Sequence, residues 1–291
     1  MIDVPIQQIL FLDIETVGIT STYNDLQEKY PMLQKQFHNY FDWFLKRYPE
    51  DAKLSPEEIY HNRAALVPEF SKIVCVCMAF VDKQGNVRSQ VLKNDDEYTL
   101  LKEVNHLFER CHNLGFWMCG HNIKNFDIPV IIKRMMINGI EPSKLLPRHD
   151  TKPWEVKALD TLEIWRAGNP WGLASLELMC AAMGVESSKE GEVTGNRVHD
   201  AYWLDNMLDA ISDYCERDVL VLVKIIDKLK NNQNKDLMIA SLSHDVKNPI
   251  ISSIEINEEL LKLQQQPKKK DDETAVKKPK ITLNNKVKKK N

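Results

Sequence analysis

The stretch ILFLDIETVG, residues 9–18, constrains this chain more than any other. Four apolar residues run into Asp13, and Glu15 follows two places later. Such a run reads as a buried strand, QQILFLDIE, that stops at its acids, and residues i and i+2 of a strand share a face. Asp13 and Glu15 are therefore expected side by side. Two like charges that close repel, and each drifts toward protonation unless a cation lies between them. Hard oxygen donors suit Mg²⁺ or Mn²⁺. Alone the pattern is ambiguous: with 42 Asp and Glu residues in the chain a chance DxE is ordinary, and strand-end acids often only cap or meet solvent.

Two further acids bear on that ambiguity. In GHNIKNFDIP, Asp127 follows an expected strand (GFWMCGHN) and opens an expected helix (DIPVIIKRMMING), where it reads equally as an N-cap or as a site carboxylate. In DYCERD, Tyr214 and Asp218 are four apart and so share one face of the long helix NMLDAISDYCERDVLVLVKIIDKLK. Asp218 stands where that helix turns strongly apolar, an expensive place for an unpaired charge.

The remaining pattern mixes strands and helices, which argues an α/β layered domain. KIVCVCMAFVD and NVRSQVLK form an expected hairpin about the turn KQGN. DDEYTLLKEVNHLFERC and LASLELMCAAMG read as helices, and VKALDTLEIW as a strand. Residues 20–68 are polar, aromatic-rich and helix-patterned, with a capping box at Ser55 and Glu58, and read as a helical insertion too short to bury much alone.

FLDIETVG, GHNIKNFDIP and DYCERD, in that order, resemble the three motifs of the DEDD superfamily of 3′–5′ exonucleases, and YxxxD marks the tyrosine (DEDDy) branch. The resemblance runs from about Gln7 to Lys230. It is strongest to the stand-alone polymerase-B-like 3′–5′ exonucleases and to the proofreading domain of family B DNA polymerases. It implies a ribonuclease H-like fold, a mixed sheet flanked by helices, with the insertion following the first strand. It also implies that Asp13, Glu15, Asp127 and Asp218 hold two divalent ions, Mg²⁺ or Mn²⁺, and that Tyr214 orients the attacking water. Thr16, Asn122 and Phe126 match positions beside the acids and are expected at the substrate. Phe126 reads as well as a core side chain. The implied activity is 3′–5′ hydrolysis of single-stranded DNA ends to nucleoside 5′-monophosphates. The rivals are an exoribonuclease with the same site and a catalytically silent nucleic-acid-binding module.

The domain expectation is an exonuclease domain over residues 1–230, additional helices over 231–265, and a lysine-rich, disordered tail over 266–291. From Pro267 onward ten lysines face three acids, a net of +7, so the preceding residues carry −10 of the overall −3. A solvated end is the plainer reading of the tail, and electrostatic capture of a polyanion the sharper one. SHDVKNP, with His244, resembles the phospho-accepting box of sensor histidine kinases, but no ATP-binding domain follows, and a packing helix is the better expectation. The six cysteines lack CxxC or Cys/His zinc spacing and read as buried free thiols, including Cys75 and Cys77 on one side of a strand. MIDVPIQQIL has no signal-peptide pattern and no apolar run reaches about 18 residues, so a cytoplasmic protein is expected.

Overall fold

The computed structural model describes residues 2–187 and 193–230. The readings of residues 231–265, with His244, and of the tail lie outside them. Five strands form one mixed sheet: β1 (Ile9–Gly18), β2 (Ser71–Val81), β3 (Val87–Lys93), β4 (Trp117–Gly120) and β5 (Ala158–Asp160), in the order β3-β2-β1-β4-β5. The β1–β2 and β2–β3 pairs are antiparallel, whereas β1–β4 and β4–β5 are parallel. This is the mixed, helix-flanked sheet expected of a ribonuclease H-like fold. Four helices fill the insertion: α1 (Tyr23–Lys29), α2 (Pro31–Asn39), α3 (Phe41–Arg47) and α4 (Pro56–Arg63). They are followed by α5 (Glu97–Asn113), α6 (Asp127–Ile137), α7 (Thr161–Arg166), α8 (Leu176–Met183), α9 (Val198–Trp203) and α10 (Leu208–Leu229). Among the described residues no helix is long and apolar enough to cross a membrane.

Strand parity divides the core. Leu10, Leu12 and Ile14 of β1 pack on one face, with residues of α5 and α6 such as Leu101, Phe108 and Ile131. Ile9, Phe11 and Val17 pack on the other, with Ile211, Tyr214, Cys215, Val219, Leu222 and Ile226 of α10. Those α10 positions recur every three or four residues, so one stripe of the helix lies along the sheet.

Two expected elements are corrected. β1 does not stop at its acids: Thr16, Val17 and Gly18 continue the ladder opposite Ile73, Lys72 and Ser71. Between Glu15 and Thr16 the partner jumps from Cys75 to Ile73, so Val74 is the extra residue of a β-bulge. The expected strand VKALDTLEIW is a strand only over Ala158–Asp160. Asp160 then accepts hydrogen bonds from the N–H groups of Leu162 and Glu163 and starts α7. The turn at KQGN is present, with Gly85 at φ +86° and the Asp82 carboxylate accepting from the N–H groups of Gln84 and Asn86.

The insertion buries more than its length implies. Its small core, which takes in Phe70 just before β2, has nine buried residues, and Phe37 meets Phe44, Tyr60 and Phe70 edge to face or tilted at 5.1–5.3 Å. The Ser55–Glu58 capping box is present, and a second joins Thr22 to Asp25. The Tyr60 hydroxyl, 2.8 Å from Thr20 Oγ1, pins this small core to the chain leaving β1.

A buried ion pair joins both sides of the first layer. Arg134 of α6 donates from Nε and Nη2 to the two oxygens of Glu97 at 2.9 and 2.5 Å, and from Nη1 to the Pro68 carbonyl at 3.0 Å. Glu97 also accepts from the Ile73 N–H at 2.7 Å, beside the bulge. Removing one partner of such a pair strands the other charge in the core. Arg134→Ala is therefore expected to cost about 3–5 kcal/mol in urea unfolding. Lys133→Ala, which breaks an exposed pair with Glu69, should cost under about 1 kcal/mol.

Candidate metal centre

Along β1 every residue from Ile9 to Gly18 is buried except Asp13 and Glu15, which are half-buried. Odd-numbered residues of this strand point to the α10 face, so both carboxylates lie under that helix. Tyr214 and Asp218 reach the same place because they share its inward stripe, and the Tyr214 hydroxyl donates to Asp218. Gly195 leaves room above that hydroxyl: a Cβ there would sit 3.4 Å from it.

Asp127 arrives from the other side. It is the first residue of α6, not its N-cap; that position belongs to Phe126, whose side chain caps nothing. The carboxylate accepts from its own N–H and from the N–H of Ile14, between the two β1 acids. β4 pairs with β1 only over Ile9–Phe11, so the Ile14 N–H lies past the end of the β4 ladder and Asp127 satisfies it. The chain can turn off β4 this close to β1 because of Gly120, where a Cβ would stand 2.9 Å from the Leu12 carbonyl oxygen and 2.8 Å from Ile123 Cβ.

Asp160 was missed in the sequence. It is buried and accepts from the N–H groups of Asn122 (2.9 Å), Lys124 (3.2 Å) and Leu162 (3.0 Å), holding the loop before Asp127 to the start of α7. Its sequence signal is an N-cap pattern, Asp before TLE, which the apolar residues around it mask.

The electrostatics are those of like charges crowded together and buried. Burial, then Asp127, Glu15 and Asp218, hold the Asp13 carboxyl well above its usual range, opposed by a hydrogen bond from Cys215. Burial, then Cys75, Asp218 and Asp127, raise Glu15. Burial pushes Asp127 up to about 7 despite its two N–H donors. Tyr214 is raised by burial and by the acids, so it is a protonated donor at neutral pH. The donor set fits divalent cations: oxygen ligands that destabilise one another and that a double positive charge would offset.

The three expected substrate residues do not form a cluster of free groups. The Thr16 hydroxyl donates to the Ala65 carbonyl at 2.9 Å and so ties the insertion to β1. Asn122 adopts φ +60°, and its side-chain oxygen accepts from Asn125. Phe126 is half-buried against the α5/α6 core.

A family model described as predicted 3′–5′ exonucleases related to the exonuclease domain of PolB matches residues 65–226, more than half of the chain. The chain belongs to this family. The match contains Asp127, Tyr214 and Asp218 but begins after β1, so Asp13 and Glu15 join them by geometry. No curated protein sequence matches. Among solved structures, the family B DNA polymerase of the hyperthermophilic archaeon Pyrobaculum calidifontis is 16% identical, with a TM-score of 0.49 over 78% of this chain and 25% of that one. E. coli Exonuclease I in complex with a dT13 oligonucleotide is 15% identical, with a TM-score of 0.42 over 77% of this chain and 41% of that one. The chain thus spans a quarter of the polymerase and about two fifths of Exonuclease I.

The charge cluster has a consequence for stability without metal. Folded Asp127 holds its proton up to about 7, whereas an unfolded carboxylate releases it near 4. Over that window the folded state binds more protons, so stability falls as pH rises. In chelator, Asp127→Asn is expected to gain on the wild type progressively from about pH 4 to 7 in thermal unfolding, and added Mg²⁺ to erase the gain.

Proposed function

We propose that this exonuclease removes nucleotides from 3′ ends of single-stranded DNA and releases nucleoside 5′-monophosphates, with two Mg²⁺ or Mn²⁺ ions held by Asp13, Glu15, Asp127 and Asp218. The observation that carries this reading is the convergence of the four carboxylates, from β1, α6 and α10, with the Tyr214 hydroxyl beside Asp218. Single strands are the favoured substrate because Asp13 and Glu15 are half-buried and Asp127 is buried, so a flexible strand end approaches them more readily than a stacked duplex would. Cation charge there would ease formation of hydroxide from water and offset the charge on the departing 3′ oxygen.

The chain's own residues supply position. Asp13 and Glu15 cannot swing apart, because the strand that carries them is paired with β2 from Phe11 to Gly18 and is buried on both flanks. Asp127 is oriented by the Ile14 N–H, and Asp160 fixes the loop behind it. Tyr214, donating to Asp218, keeps lone pairs on its oxygen with which to accept a hydrogen bond from the attacking water. Because it stays protonated, it orients that water and does not take its proton.

Digestion of 5′-labelled and 3′-labelled single-stranded DNA, duplex DNA and RNA, with Mg²⁺ and with Mn²⁺, tests the reading. Expected are mononucleotide release from 3′-labelled single strands and a descending ladder from 5′-labelled ones. Asp13→Ala or Asp218→Ala should lower kcat more than roughly 100-fold, and Tyr214→Phe, which removes no ligand, by roughly 10–100-fold. Faster digestion of RNA than of DNA would overturn the substrate assignment, and full activity in Asp13→Ala the site.

A further inference from the structure

The β1 acids stand against thiols. Directly opposite residues of an antiparallel pair project to the same face, and the register sets Asp13 opposite Cys77 and Glu15 opposite Cys75. A third thiol comes from α10: Cys215 Sγ lies 3.5 Å from Asp13 Oδ2 and 3.5 Å from the Asp13 carbonyl oxygen, and it shares a hydrogen bond with Cys75. Ligand atoms of Asp13, Glu15 and Cys215 all lie within 4.8 Å of one another. All three cysteines are buried and free.

The candidate centre therefore has a carboxylate rim and a sulfur floor. Magnesium and manganese take the oxygens and leave sulfur alone, whereas zinc and cadmium accept thiolate together with carboxylate in four-coordinate sites. We propose that Asp13, Glu15 and Cys215 form a site for a thiophilic dication of the Zn²⁺ or Cd²⁺ class. It shares two carboxylates with the proposed catalytic ions, so the two occupancies exclude one another and a soft dication inhibits the enzyme. Binding replaces the Cys215 S–H bond by a metal–sulfur bond, and the proton leaves to solvent. No oxidant or reductant takes part. Hydrolysis by hard ions requires none of these sulfurs, so the site rests on the geometry around Asp13 and Glu15 and goes beyond the catalytic reading.

The test is a CdCl₂ titration of the full chain, stripped of metal with chelator, followed by the ultraviolet sulfur-to-cadmium charge-transfer absorption. A band that saturates at one equivalent is expected. Its affinity should drop about tenfold or more in Cys215→Ala and in Asp13→Asn. It should be unchanged in Cys111→Ala, whose thiol lies in the core on the opposite face of the sheet. Excess Mg²⁺ should raise the cadmium needed. A folded wild type with no band, or a band undiminished in Asp13→Asn, overturns the proposal. Asp13→Asn keeps every thiol and decides the matter if Cys215→Ala does not fold. A one-equivalent band in a protein that releases no nucleotide with Mg²⁺ supports this site and counts against the nuclease reading, so the two failures are separable.

Discussion

Repulsion among carboxylates held by a rigid strand is the constraint on which the rest depends. β1 is paired with β2 from Phe11 to Gly18 and buried on both faces except at Asp13 and Glu15. The two acids therefore cannot relax away from each other, and α10 and α6 add Asp218 and Asp127 to the same volume. A fold that keeps this arrangement without a cation accepts a loss of stability. Divalent charge turns the same arrangement into a tight, oriented centre.

The surrounding structure serves that positioning. The Arg134–Glu97 pair joins α6, the start of α5 and the bulged part of β2, so the helix that opens with Asp127 is tied to the sheet that carries the other acids. The insertion is attached just past them, through Thr16 to Ala65 and Tyr60 to Thr20. α9 closes the end of β1: Gly18 donates its N–H to His199 Nδ1 at 3.1 Å, and its carbonyl accepts from Trp203 Nε1 at 3.1 Å.

What the sequence disclosed followed from local physics. Apolar periodicity placed β1 and α10, the S-x-x-E pattern the cap of α4, and KQGN the turn between β2 and β3. Spacing alone put Tyr214 and Asp218 on one helical face. What stayed hidden depends on pairing between distant segments. The extension of β1 through Gly18 needs β2 as its partner, and the bulge at Val74 is visible only in the register. Cys75 and Cys77 were legible as buried thiols on one side of a strand, but not as neighbours of Glu15 and Asp13. Asp160 sat in a segment whose apolar residues outweighed its cap signal, and its role needs the loop of Asn122 and Lys124 brought to it. The insertion's core is not visible in the sequence because aromatic residues spread over residues 23–70 meet only once four short helices fold together.

The central claim is that acids from three separate elements form one dication centre. Counting bound Mn²⁺ by electron paramagnetic resonance, with a nucleoside 5′-monophosphate present, addresses it directly in the wild type and in Asp127→Ala and Asp218→Ala. The account predicts two ions per wild-type chain and loss of tight binding of at least one of them in each variant. Two tightly bound ions retained in both variants would contradict it.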